Sequence, residues 1–258
     1  MTEQPKVLYF DIETSPMIVP VFRLGKQRVD HSQILKREQV ICISWAWNDG
    51  RVQHKTFDLK KYDWNLKDDD ADFALIRDFS REVAKADLVV AHNGAWFDIS
   101  KLKSRIVKYK LPPLTPVLID DTYQKTKGIG FTSHKLDDIG DYLGYGNKLP
   151  HGHGMEWWVD IISGSVSTLS KMVKYCDRDV EQLRKIYKHL KPYITSSLNM
   201  SVFSGEQMAC RGCASTNLER RGFKRTTVGK FQRYQCRDCG SWTSDGTNMV
   251  KKSGKYTR

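Results

Sequence analysis

Apolar positions recur along this chain with two periods, two and about 3.6 residues, which separate strands from helices. Runs of β-branched and aromatic residues predict strands at Lys6–Glu13 and Val40–Trp47. A third strand, Arg51–Phe57, follows Asn48-Asp49-Gly50, a hairpin signal because Asn and Gly accept positive φ. Short apolar runs at Asp87–Ala91 and Val117–Asp121 predict two more. Helical spacing appears in Ala71–Lys85, where Phe73, Leu75, Ile76, Phe79 and Val83 fall on one side. Phe97–Tyr109 and Lys135–Leu143 also read as helices, stopped by Pro112-Pro113 and by Gly144. A loop bearing Gly and His runs through 144–156, and a long helix covers Thr168–Leu190. Its apolar stripe is Leu169, Met172, Val173, Cys176, Val180, Leu183, Tyr187 and Leu190. Antiparallel strands followed by alternating helices and strands predict an α/β fold, one mixed sheet flanked by helices.

Length sets the domain count. The 258 residues suffice for one medium domain and a small one. We expect domains at 1–192 and 209–245, a linker at 193–208 and a basic, flexible tail at 246–258. No apolar run nears the ~20 residues of a membrane span, and no basic, then apolar N-terminal signal is present. The expectation is a soluble intracellular (cytoplasmic) protein. Charge is uneven: Thr195–Arg258 carries twelve Lys/Arg against four Asp/Glu, while the whole chain is +12. A small basic module points to a polyanionic partner, nucleic acid before a membrane surface.

Three acidic clusters carry candidate chemistry. Residues i and i+2 of a strand share a face, so Asp11 and Glu13 stand side by side in an apolar strand. Two buried like charges are costly unless a cation lies between them, and oxygen ligands suit Mg²⁺ or Mn²⁺. Taken alone, the pair also reads as a solvated strand end. Asp98 follows His92-Asn93-Gly94 in the first turn of a helix, where an acid serves equally well as a cap. Tyr175 and Asp179, four residues apart, share the border of the long helix's apolar stripe; a plain amphipathic helix would do the same. Asp177 is turned away from both and is left out of the site. Asp120 and Asp121 read as capping or surface acids ahead of supports for the site, Trp157-Trp158 as core ahead of a stacking pair for a nucleotide, Cys42 and Cys176 as buried thiols, and His151 and His153 as loop residues ahead of metal ligands.

In this order, Asp11-x-Glu13, Asn93-x-x-x-Phe97-Asp98 and Tyr175-x-x-x-Asp179 resemble the three motifs of the DEDD-superfamily 3′→5′ exonucleases, in the subclass with Tyr in the last motif. The likeness is greatest to the proofreading domains of family B DNA polymerases and their stand-alone relatives. Ser133-His134-Lys135-Leu136-Asp137 resembles the stretch between the second and third motifs, and the match covers about residues 6–190. The resemblance implies a ribonuclease H-like fold and phosphodiester hydrolysis with two Mg²⁺ or Mn²⁺ ions. It implies that Asp11 bridges both ions, Glu13 and Asp179 hold the one carrying the attacking water, Asp98 supports the other, and Tyr175 orients the water. Asn93 and Lys135 are the implied nucleic-acid contacts, and a polymerase or a repair or replication protein is an implied partner in trans.

Four cysteines form a second signal. Cys210-x-x-Cys213 and Cys236-x-x-Cys239 have the pairing of a structural, tetrahedral Zn²⁺ site. Between them, Arg220, Arg221, Lys224, Arg225, Lys230 and Arg233 interleave with aromatics, a pattern that suits phosphates and bases. The stretch is similar to zinc ribbons of insertion-sequence transposase proteins, which implies DNA binding; a structural ribbon or protein-docking knob is the other reading. The expected activity is a metal-dependent 3′→5′ exonuclease, on DNA rather than RNA. Its rivals are an inactive nucleic-acid binder and a structure-specific or transposase-like endonuclease.

Overall fold

The structure is a computed structural model and describes residues 4–23, 25–26, 28–146 and 154–250. His151, His153 and residues 251–258 of the tail lie outside them. The chain forms two compact units, Lys6–Tyr187 and a second that begins at Lys188.

The first unit is built on β1 (Val7–Thr14), whose residues Val7 to Phe10 and Ile12 are buried. It pairs antiparallel with β2 (Val40–Trp47), which pairs antiparallel with β3 (Gln53–Thr56) through the Asn48 turn (φ 45). On its other side β1 runs parallel to β4 (Leu88–Ala91), and β4 parallel to β5 (Leu118–Asp121). The order β3-β2-β1-β4-β5 is the predicted mixed sheet. Helices α1 (Phe73–Val83), α2 (Asp98–Lys108), α3 (Thr122–Thr126), α4 (Leu136–Tyr142), α5 (Glu156–Ile162) and α6 (Val166–Leu190) complete it.

Alternation along β1 assigns the two layers. Phe10 packs on Phe79 of α1, with ring centroids 5.2 Å apart. Tyr9 packs edge-on against Tyr187 of α6 at 5.8 Å, so α6 covers the face that Tyr9 shares with Asp11 and Glu13. All eight positions of the predicted α6 stripe are buried. Trp157 and Trp158 pack against the core, and Trp158 Nε1 donates to the Thr14 carbonyl at 2.9 Å.

Asp72, predicted inside α1, instead precedes it as a fully buried acid. Arg105 of α2 grips it with Nε at 2.7 Å and Nη2 at 2.6 Å, and the Val40 amide donates to it at 3.1 Å. This bidentate pair pins α2, and hence Asp98 at its start, to α1 and β2. The short helices α3 and α5 fall where no helix is predicted. With five and seven residues they are too short for a 3.6-residue period to show. Among the described residues no helix is long and apolar enough to cross a membrane.

The second unit holds an antiparallel sheet, β6 (Leu218–Thr226), β7 (Gly229–Cys236) and β8 (Trp242–Ser244), in that order. Residues 191–203 carry no strand, yet they are tied to the cysteines. The Met200 amide donates to the Arg211 carbonyl at 2.9 Å, and Met200 is buried.

Candidate active site and four-cysteine site

Pairing between β1 and β4 ends at Tyr9 and Val90. Beyond that point β4 turns away through Asn93 and Gly94 and returns as α2, so α2 begins beside the open flank of Asp11 and Glu13. This is the carboxyl end of parallel strands, the usual place for a site in an open α/β sheet. The turn needs a left-handed residue, and Asn93 supplies it with φ 59. Gly94 is buried so closely that a Cβ there would collide with the Ala91 side chain and lie 3.2 Å from Asp98 Oδ2.

Asp98 is 3% exposed and opens α2, but it does not cap it: the N-cap is Phe97, without a side-chain bond. Its Oδ1 instead accepts the Ile12 amide at 3.0 Å, between the two acids of β1. Burial pushes Asp98 up to about 7, against the lowering bonds from its own amide and that of Ile12. Glu13 is pushed up to about 8 by burial, then by Asp179 and Asp98. Asp11 is held well above the carboxylate range by burial, then by Asp98, Asp179 and Glu13. Four predicted acids therefore share one electrostatic neighbourhood. Such mutual repulsion is what a bound divalent cation reverses.

Tyr175 faces the same group. Burial, then Asp179, Asp137, Glu13 and Asp11, raise its phenol above 10, so it keeps its proton. The Cys176 thiol, one residue on, lies 3.4 Å from Asp11 Oδ2, which seats α6 against β1. Asp177 points elsewhere: its oxygens take the Ser44 hydroxyl at 2.7 Å and His54 Nδ1 at 3.0 Å on the sheet.

Asp121 fills the capping role read from the sequence and supports the site as well. Asp121 caps α3 and also accepts the amides of Asn93 at 3.0 Å and Ala95 at 3.1 Å, so it holds the loop that aims Asp98. Its register opposite Ala91 at the strand ends is the signal that places it there. Asp120 is not a surface or capping acid; it is fully buried, bonded by Tyr187 Oη at 2.6 Å and Lys125 at 3.0 Å. His92 bridges the loops: Nε2 bonds the His134 carbonyl at 2.8 Å and Nδ1 meets Thr122 Oγ1 at 2.9 Å. A carbonyl only accepts, so Nε2 bears the proton. The residues after this pair, exposed Asn93 and Lys135, are thereby drawn into one loop cluster.

In the second unit Cys210, Cys213, Cys236 and Cys239 bring ligand atoms within 4.8 Å of one another. The Sγ atoms of Cys210 and Cys239, and those of Cys213 and Cys236, are 3.6 Å apart. A tetrahedron with metal–sulfur bonds near 2.3 Å puts its sulfurs ~3.8 Å apart, so the donors fit one soft metal ion and not a disulfide. The two knuckles repeat one turn: the Ala214 amide donates to the Cys210 carbonyl at 2.9 Å and the Gly240 amide to the Cys236 carbonyl at 3.0 Å. Ala214 and Gly240 both take positive φ, 64 and 77. Arg220, Arg221, Lys224, Arg225, Lys230 and Arg233 all lie on β6 and β7.

The fold is similar to that of the family B DNA polymerase from the hyperthermophilic archaeon Pyrobaculum calidifontis, with a TM-score of 0.53 and 18% identity. That similarity covers 74% of this chain and 25% of the polymerase, so the chain spans about a quarter of the polymerase's length. No curated protein matches the sequence. The sequence model of the RNase_H superfamily matches residues 8–191, the stretch that carries the sheet and all four acids. The chain therefore belongs to the ribonuclease H superfamily.

Proposed function

We propose that this protein is a metal-dependent 3′→5′ exonuclease acting on DNA. What supports the reading is the electrostatic neighbourhood that Asp11, Glu13, Asp98 and Asp179 share near the carboxyl end of β4: burial raises Asp11, Glu13 and Asp98, and Asp98 and Asp179 raise Asp11 and Glu13 further. The motif order supports the polarity, and membership of the superfamily supports phosphodiester hydrolysis. Asp11 would face two Mg²⁺ or Mn²⁺ ions, with Glu13 and Asp179 on the side of the attacking water and Asp98 on the other. Bound there, such ions lower the pKa of water and neutralise the leaving 3′ oxygen. Tyr175, protonated, orients the attacking water as a donor rather than removing its proton. Asp121, through the amides of Asn93 and Ala95, keeps the loop fixed while Asp98 engages. All five motif positions are filled, which argues against an inactive binder.

The four cysteines would hold one structural Zn²⁺, which replaces the core that so small a sheet lacks. The basic β6–β7 pair then keeps the chain on its substrate by a second weak contact.

The test is digestion of 5′- and 3′-end-labelled DNA and RNA, single and double stranded, with Mg²⁺ or Mn²⁺. The expected result is stepwise loss from the 3′ end of DNA, abolished by Asp11→Asn. Metal-independent loss, release from the 5′ end, or cleavage of closed circles would overturn it.

A further inference from the structure

The basic residues of the four-cysteine unit are not one surface. On β7, Phe231, Arg233 and Gln235 share a face, and Lys230, Gln232 and Tyr234 share the other. The register sets Lys224 opposite Phe231 and Trp242 opposite Gln235, so Lys224, Arg233 and Trp242 look the same way. Arg225, opposite Lys230, looks the other way. There Lys230 is engaged over the Phe223 ring, 3.9 Å from its centroid. Arg221 is paired with Glu219, Nε at 2.9 Å and Nη2 at 2.8 Å.

The first face opens on a cavity of about 470 Å³ whose other wall is the segment from Lys191 to Asn199. Lys191, Arg211, Lys224 and Arg233 bring four positive charges to it, and Tyr193 and Trp242 bring aromatic surface. The far wall is anchored at both ends. Ser241 Oγ donates to the Lys191 carbonyl at 3.5 Å, and a Cβ on Gly240 would lie 3.6 Å from Pro192 Cβ. At the other end the Met200 amide holds the Arg211 carbonyl. Tyr193 is 71% exposed and Trp242 49% exposed, and the Arg233 guanidinium sits 4.6 Å from the Trp242 ring centroid.

We propose that this groove binds a single nucleic-acid strand, its phosphates on the four basic side chains and unpaired bases against Trp242 and Tyr193. The inference rests on the nuclease reading above and deepens it by naming the face and the strandedness. Positive charge alone would suit a duplex equally. Large, exposed aromatic faces at the same cavity favour a strand whose bases are open to stacking, which a duplex conceals.

The test measures binding of a fluorescent oligothymidylate to the full chain, zinc-loaded, in the Asp11→Asn background so that no substrate is lost. Reversing the groove face with Lys224→Glu and Arg233→Glu should weaken binding more than tenfold and reduce the salt slope by about one to two. Trp242→Ala should weaken it about tenfold, and should have no effect on an abasic strand of the same length. Reversing the opposite face with Arg225→Glu and Lys230→Glu should change affinity less than threefold. Unaltered zinc content and circular dichroism establish that each variant is folded; a variant that fails this check is replaced by Lys224→Ser with Arg233→Ser, which should still weaken binding severalfold. Equal losses from both faces, an undiminished abasic penalty, or equal competition by duplex would overturn the proposal. If the unmodified chain shows no hydrolysis yet the groove variants still lose the strand, the nuclease reading fails and the groove stands.

Discussion

The Asp98 carboxyl accepts the Ile12 amide at 3.0 Å, so one hydrogen bond ties the start of α2 to the strand that carries Asp11 and Glu13. Asp98 thereby fixes the start of α2 beside these acids and, on the proposed reading, is itself one of the site's acids. The two roles separate by substitution. Asp98→Asn keeps an acceptor for the amide and should fold, yet lose hydrolysis on the order of a hundredfold. Asp98→Ala leaves a buried amide unpaired and should also cost about 1–3 kcal/mol of stability. Denaturant unfolding beside a Mg²⁺-dependent digestion assay checks both.

Without divalent ions the acid cluster should invert the usual pH dependence of carboxylates. Folding raises Glu13 from 4.5 to about 8 and Asp98 from 3.8 to about 7. The folded chain therefore binds more protons than the unfolded chain across that window. The stabilisation is full below the unfolded values and is lost as pH rises toward about 8. In metal-free buffer the protein should lose more stability between about pH 5 and about pH 8 than Glu13→Gln does. Saturating Mn²⁺ should erase that difference. Equal slopes for the two proteins would refute the raised pKa of Glu13.

Gly94→Ala tests the turn. The added methyl would meet the Ala91 side chain and crowd Asp98 Oδ2. Overpacking of this kind costs about 1–3 kcal/mol, and activity should fall beyond what stability explains because Asp98 is displaced. Unfolding midpoints with single-turnover rates separate the two effects.

Much of this arrangement is legible in the sequence, and the parts that are not share a reason. Val40–Trp47 is predicted to the residue because a long β-branched and aromatic run lies between polar Arg37-Glu38-Gln39 and the turn residues Asn48-Asp49-Gly50. Asp11 and Glu13 are visible because two acids interrupt an apolar strand. Asp120 is not, since its burial depends on Tyr187, 67 positions away, and no local pattern records that bond. Asp72 shows the same limit: its place before α1 follows from Arg105, 33 positions on. Asp98 looks like a cap by position, and only the route of the chain reveals Ile12 as its partner.

Arg105 should be intolerant of replacement. It is largely buried and holds the fully buried Asp72 through two nitrogens. Arg105→Ala strands that carboxylate and should cost about 3–5 kcal/mol. Arg105→Lys cannot reproduce the fork and should recover only part of it. Chemical denaturation reads the difference.

Metal removal should act on one unit. Cys236→Ser, or a strong chelator, should release one zinc ion and unravel β6–β8, exposing their amides to exchange. The amides of β1, β2 and β4 should keep their protection. Hydrogen exchange read by mass spectrometry resolves the two sets, and loss of protection throughout would contradict a separate four-cysteine unit.

The central claim is that four acids from three distant stretches hold paired divalent ions in one site. Electron paramagnetic resonance of Mn²⁺ titrated into zinc-loaded protein, with a non-hydrolysable 3′ end bound, counts those ions directly. The account predicts about two Mn²⁺ per chain, and Asp11→Asn should abolish both because Asp11 faces each. Failure to bind Mn²⁺, or binding that survives Asp11→Asn unchanged, would contradict it.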